Sequence, residues 1–351
     1  MKSNRLIRSS LLLLGTSLSV PLPAQVSVAS APVGVLSTSI KREESGLAFP
    51  LLAREVLVAT ATGNTGGVLS FPADHANLGA LLTASGRYYV EVLSGPFEGE
   101  RLDVDTAATI AAGDAAVTLS FGSGTHSTLS TLAAGALAGA RCALRPHMTL
   151  AALKSMFTPA LKGDNTASKA DGVQLYGPGG FDFFYLRGDG VTWRKAGGGT
   201  ADLRNLVIPP DVGVLLELRS GGKRWTHTGR VRTNAFRKNL RAGLQAFATG
   251  FPVDLSPLDV GAFVDTSVPA AERWTGNESV GMADRFQVFF DTYSTPHALY
   301  YLRGDGTSWR STTSTTNVAA TPILGATAMQ LVRRVNPDGG YVILPPIDVA
   351  P

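Results

Sequence analysis

Two strings in this chain are nearly the same. FFYLRGDGVTWR runs from Phe183 to Arg194, and LYYLRGDGTSWR from Leu299 to Arg310. Tyr185 and Tyr301 are 116 positions apart, as are Trp193 and Trp309. Ala170-Asp171 and Ala283-Asp284 lie 113 apart, and VLLELR from Val214 parallels MQLVRR from Met329 at 115. A period above a hundred residues means duplicated domains rather than a solenoid of short repeats. The drift in offset places insertions in loops.

The copied string is a hairpin signal: two apolar, aromatic segments around Gly188-Asp189-Gly190. A three-residue loop with Gly190 at positive φ would set Tyr185 opposite Trp193 and Tyr301 opposite Trp309. Such cross-strand pairs contribute roughly 0.2–1 kcal/mol each. The Arg-Gly-Asp inside the string has two readings, an exposed receptor-binding tip or generic turn chemistry, and the turn suffices to explain it. The four rings Tyr185, Trp193, Tyr301 and Trp309 are either core or a sugar-stacking platform.

Short apolar runs separated by Gly, Asn, Asp and Pro favour strands over long helices. RYYVEVLSG, from Arg87 to Gly95, alternates well, and GERLDVDTAATI and DAAVTLSFGSG follow at strand-and-turn spacing. TLAALKSM, from Thr149 to Met156, has the look of a short helix. The expected fold is all-β with minor helix, in several antiparallel sandwich- or barrel-like domains, the last two a tandem duplication. Expected boundaries are a signal peptide at 1–24, an extended lead-in at 25–53, an N-terminal β domain at 54–130, and repeat domains at 131–236 and 237–351. The repeat starts rest on a weaker likeness between AGARCALRPHMTLAAL and AGLQAFATGFPVDLSPL.

The signal-peptide expectation comes from Lys2, Arg5 and Arg8 ahead of the apolar run Leu11 to Val20, which is too short to span a bilayer. Cleavage falls at Ala24, with Ala29 or Ala31 as alternatives. It would remove three of the 31 basic residues and leave 28 against 27 acidic ones, so the mature chain is near neutral. That balance speaks against a nucleic-acid partner, and no polybasic patch suggests a membrane surface. The single cysteine, Cys142, can form no internal disulfide and is expected to be buried as a small apolar residue.

No catalytic constellation emerges. His75, His126, His147, His227 and His297 are scattered, with no zinc-binding spacing. There is no Gly-x-Ser-x-Gly elbow, and RSGGKRW from Arg219 lacks phosphate-loop spacing. No metal or cofactor is expected. Among Glu98, Glu100, Asp103 and Asp105, the densest acidic cluster, Asp103 and Asp105 should share a solvated strand face with Arg101 while Leu102 and Val104 point inward. Asp171 and Asp284 are either turn caps or a site residue copied with its domain.

Several blocks together resemble an uncharacterised family of secreted, paralogous β-rich proteins of Verrucomicrobia-type bacteria. They are YYVEVLSGPFEGERLDVDTAATI from Tyr88, RPHMTLAALKSMF from Arg145, KADGVQLY from Lys169 with the first copied string, and MADRFQVF from Met282 with the second. The resemblance implies export and a multi-domain β layout, with no enzyme activity attached. The expected function is an exported, non-catalytic surface, envelope or matrix protein, periplasmic or on the outer surface. The alternative is a glycan-binding or polysaccharide-active secreted protein. Partners would be cell-surface or extracellular polysaccharide or other envelope proteins, with no nucleic acid and no membrane span after signal removal.

Overall fold

The computed structural model describes residues 32–40, 43–122, 125–177, 180–267, 273–288, 298–323, 329–334 and 341–344. The expected signal peptide and His297 lie outside them. Antiparallel sheets dominate, with only two α-helices among the described residues, Thr106–Ala112 and Leu150–Lys154. The second falls within the segment expected to be helical. No helix there is long and apolar enough to cross a membrane.

The duplication is visible as one sheet built twice. In the first copy the strand order is Trp193–Lys195, Gly180–Leu186, Gly172–Gly177, Val214–Leu218, Glu43–Leu47. In the second it is Trp309–Ser311, Ala298–Leu302, Arg285–Val288, Met329–Arg333, Gly243–Phe247. Each copy adds a smaller sheet: Val33–Ile40 pairs with Lys223–Arg230, and Phe236–Asn239 with Tyr341–Leu344. Each encloses its own core, one around Trp193, Phe184 and Leu216, the other around Trp309, Phe286 and Leu331.

These pairings move the expected boundaries. Val33–Ile40 and Glu43–Leu47 are not a lead-in but paired strands. They hold the places that Phe236–Asn239 and Gly243–Phe247 hold in the second copy. Leu47 and Phe247, the last strand residues of each, are 200 positions apart, whereas Leu150 and Leu255, where the patterns resume, are 105 apart. The first repeat therefore carries an inserted module, from about residue 53 to 147, that the second lacks. Arg141–Pro146, expected to open the first repeat, is instead a central strand of the module.

The inserted module is a curled, half-barrel sheet in the order Leu57–Thr60, Arg141–Pro146, Tyr88–Val92, Arg101–Val104, Ala116–Ser120, Val68–Ser70, Gly63–Thr65. Alternation places Tyr88, Val90, Val92, Leu102 and Leu144 in its core, along with Cys142. Burial pushes the Cys142 thiol up to about 12, so the residue packs as an inert apolar group. Thr106–Ala112 starts where Asp105 accepts from the Ala108 N–H and stops at Gly113 in the left-handed region.

The hairpin register differs from expectation by one residue. Leu186 faces Trp193 and Tyr185 faces Arg194; in the second copy Leu302 faces Trp309 and Tyr301 faces Arg310. The cause is local. Arg187 N–H donates to Thr192 O, and Arg303 N–H to Ser308 O, so the loop holds four residues rather than three. A one-residue slip exchanges the two faces of a strand. Trp193 thus turns to the Leu186 side, into the core, and Trp309 does the same beside Leu302.

Candidate functional site: a cleft where the inserted module meets the first repeat

The residues expected at a site are not brought together on a surface. Trp193 and Trp309 are 0% and 1% exposed, so their indoles offer no stacking face. Tyr185 is buried beside Phe183, and Tyr301 is half-buried. The Arg-Gly-Asp tips are closed on themselves: Asp189 Oδ1 accepts from the Val191 and Thr192 N–H groups, and Asp305 Oδ1 from those of Thr307 and Ser308. The Thr192 and Ser308 hydroxyls, together with these N–H groups, hold the Asp189 and Asp305 carboxyls down at about 2. Asp171 and Asp284 are buried staples. Asp171 accepts from the N–H groups of Lys162, Arg219 and Ser220 and from the Ser220 hydroxyl, and Asp284 from those of Thr275 and Arg334.

The acidic cluster departs most from its expected role. Leu102 and Val104 do point inward and Asp105 is exposed as expected, but the rest of the opposite face is covered rather than solvated. Alternation puts Tyr89, Glu91, Arg101, Asp103, Arg145 and His147 on that outer face, and all except Asp103 are buried. The covering segments come from both repeats and the link between them. Glu91 takes Arg145 at 2.8 Å and Arg232, Glu100 takes Arg237 at 2.9 Å, and Arg101 takes Asp211 at 2.8 Å. The Arg101 and Arg232 guanidinium groups lie 4.8 and 4.4 Å from the Phe236 ring centroid. Burial without such partners would be prohibitive.

At one end of this face a cleft of about 580 Å³ remains open. Its walls are the strand ends and loops of the module on one side and the Asp202–Val207 segment of the first repeat on the other. Asp103 stands in it, with Oδ1 2.8 Å from His147 Nε2 and Oδ2 accepting from the His126 N–H at 2.7 Å. Burial raises the Asp103 carboxyl, but the bond and charge of His147 and the His126 N–H outweigh it and hold it below the ordinary value. An ionised carboxylate only accepts, so Nε2 carries the proton. Tyr89 packs against the His147 ring at 4.6 Å, and the His126 ring lies 5.9 Å away. Burial pushes His126 below its ordinary value. Across the cleft, Asp202 is also held below its ordinary value, where hydrogen bonds from Arg204 and Trp193 outweigh burial.

The pair Asp103–His147 is 44 positions apart, and no local motif marks it. Strand parity puts Asp103 and His147 on the same side of Tyr88–Val92, because Tyr89 pairs with both Asp103 and Arg145. That parity was the available signal; what covers the face was not in it. Among the described residues no group of three or more His, Cys, Asp or Glu could hold a metal ion.

No protein-family model matches this chain, and neither a curated protein nor a solved structure does. The resemblance to secreted Verrucomicrobia-type proteins rests on the sequence blocks alone.

Proposed function

We propose that the chain is an exported, non-catalytic surface, envelope or matrix protein whose partners are polysaccharide or other envelope components. The observation that carries this reading is the state of the polar residues the repeats share. Asp171 and Asp284 are fully buried with their oxygens engaged by backbone, and Asp189 and Asp305 close their own loops. Acid–base catalysis needs groups free to reach one substrate, and these are tied to the scaffold. The leader-like start and the family resemblance support export. The alternative, a glycan-binding or polysaccharide-active protein, keeps support at the junction cleft and loses it at the two enclosed tryptophans.

The test is fractionation and surface proteolysis of cells expressing the tagged chain, combined with a polysaccharide-hydrolysis panel. The expected result is an envelope or extracellular product with no turnover. Folded protein retained in the cytosol, or hydrolysis that disappears in Asp171→Asn, would overturn the reading.

A further inference from the structure

We propose that the junction cleft is a binding site for a neutral saccharide. This rests on the reading above, which names polysaccharide as a partner, and deepens it by giving that partner a site and a chemical class. The first support is an unmet bond. His147 is 8% exposed and lines the cleft, its Nε2 is engaged by Asp103, and its buried Nδ1 has no hydrogen-bond partner. Nδ1 accepts from a hydroxyl when the ring is neutral and donates to one when it is protonated, and a sugar hydroxyl can do either. Buried polar atoms left unpaired are costly, and a ligand that satisfies one gains what the free protein lacks.

The second support is the charge balance of the walls. Three carboxylates line the cleft, Asp103, Asp105 and Asp202. Each is already engaged: Asp103 by His147, Asp105 by the Ala108 N–H at the start of the helix, and Asp202 by Arg204. An anionic ligand would meet these carboxylates with only Arg87 as a further cation in the lining. A cation would compete with partners already in place. A neutral polyol meets neither obstacle, because ionised carboxylates keep spare lone pairs for hydroxyl donors. Asn205 and Thr106 add amide and hydroxyl groups, and Leu203 and Leu206 give the apolar patch that a sugar's C–H face requires. The volume, about 580 Å³, lies within the range of small-ligand sites.

The experiment is titration calorimetry of the full chain against neutral oligosaccharides of glucose, mannose, galactose and N-acetylglucosamine, with oligouronates as the anionic arm. Ala84 and Ala107 are exposed residues at the cleft wall, so Ala84→Trp and Ala107→Trp fill it without entering the core. His147→Phe removes the unmet nitrogen while keeping a ring against Tyr89. The proposal expects at least one neutral oligosaccharide to bind. It expects each tryptophan variant to weaken that binding by about tenfold or more with an unchanged unfolding transition, and Trp309→Phe to leave it intact. Absence of binding by every neutral sugar, preference for the oligouronates, or binding unmoved by both tryptophan variants would each overturn it. Should His147→Phe unfold, the two wall variants decide the matter alone.

Discussion

Arg101 and Asp211 meet at 2.8 Å across a boundary, the one in the inserted module and the other in the first repeat, with side chains only 4% and 13% exposed. The same guanidinium donates to Arg237 O in the strand Phe236–Asn239 of the second repeat and lies over Phe236. All three modules therefore converge on one arginine. Removing Arg101 leaves Asp211 only Lys238, at 3.7 Å, and losing one partner of a buried pair costs roughly 3–5 kcal/mol. Arg101→Ala and Asp211→Asn should each lose about that much in urea unfolding. Arg101→Met combined with Asp211→Leu should recover part of it. A single-variant loss below about 1 kcal/mol would mean that the pair is effectively solvated.

If residues 53–147 are an insertion, the first repeat should close without them. Joining Leu52 directly to Met148 copies the uninterrupted path of the second repeat at Pro252–Val253. The shortened chain should unfold cooperatively and keep slow amide exchange in Glu43–Leu47 and Val214–Leu218, which pair with each other. Rapid exchange throughout those strands would show that the module is required for the sheet. Arg230 and Arg232 lose their partners Glu55 and Glu91 in this variant, but the deletion also returns them to water.

Gly163 and Gly276 do one job in the two repeats. A Cβ added at Gly163 would lie 2.0 Å from Arg187 O, and one at Gly276 2.0 Å from Arg303 O. Both contacts are with backbone that the hairpin holds in place. Gly163→Ala and Gly276→Ala should each destabilise by roughly 1–3 kcal/mol. Gly199→Ala, where an added Cβ meets nothing within 4 Å, should stay within about 0.5 kcal/mol. Thermal melts of the three variants side by side test the comparison.

Asp171 and Asp284 occupy matching places yet titrate in opposite directions. Burial raises both. At Asp171 the Lys162 N–H, the Ser220 hydroxyl, the Arg219 N–H and the Lys223 charge together bring the carboxyl below 3.8. At Asp284 burial prevails over Arg333 and the Thr275 and Arg334 N–H groups, and the carboxyl rises. Val335 stands at the sequence position of Ser220 and has no hydroxyl to give. Stability from Asp171 is thus present above its unfolded value and lost as pH falls through the lower folded one. That from Asp284 is present below its unfolded value and lost as pH rises through the higher folded one. Asp171→Asn should therefore be the more damaging change at neutral pH. Denaturation of both variants at several pH values from about 3 to about 8 should show their gap narrowing on acidification; a constant gap would refute this.

The strands, the duplication and the inward residues of the module were legible because each depends on local period or on direct identity. Leu102, Val104 and Cys142 lie where alternation and residue type put them. The hairpin register was off by one because a single backbone bond, Arg187 N–H to Thr192 O, sets the loop length, and Gly-Asp-Gly suits either length. The insertion was hidden for a different reason. The segments 33–52 and 233–252 share hardly any identities beyond Ala48 and Ala248, and their equivalence shows only in what they pair with. Asp103 and His147 could be assigned a face from parity alone, but the neighbours that bury that face come from residues beyond 200.

The interruption of the first repeat also sets a timetable. Leu47 pairs with Val214, 167 positions later, whereas Phe247 meets Met329 after 82. Entropy barely distinguishes the two closures, since doubling a loop costs only about 0.6 kcal/mol. Synthesis distinguishes them strongly. At roughly 5–20 residues per second, the strand Glu43–Leu47 waits about 10–30 s on a nascent chain before its partner exists, while the inserted module can already close. Throughout that interval Val33–Ile40 and Glu43–Leu47 present unpaired edges. The period of greatest exposure to aggregation thus falls on the earliest strands made, and a holding chaperone would find its target there rather than in the second repeat.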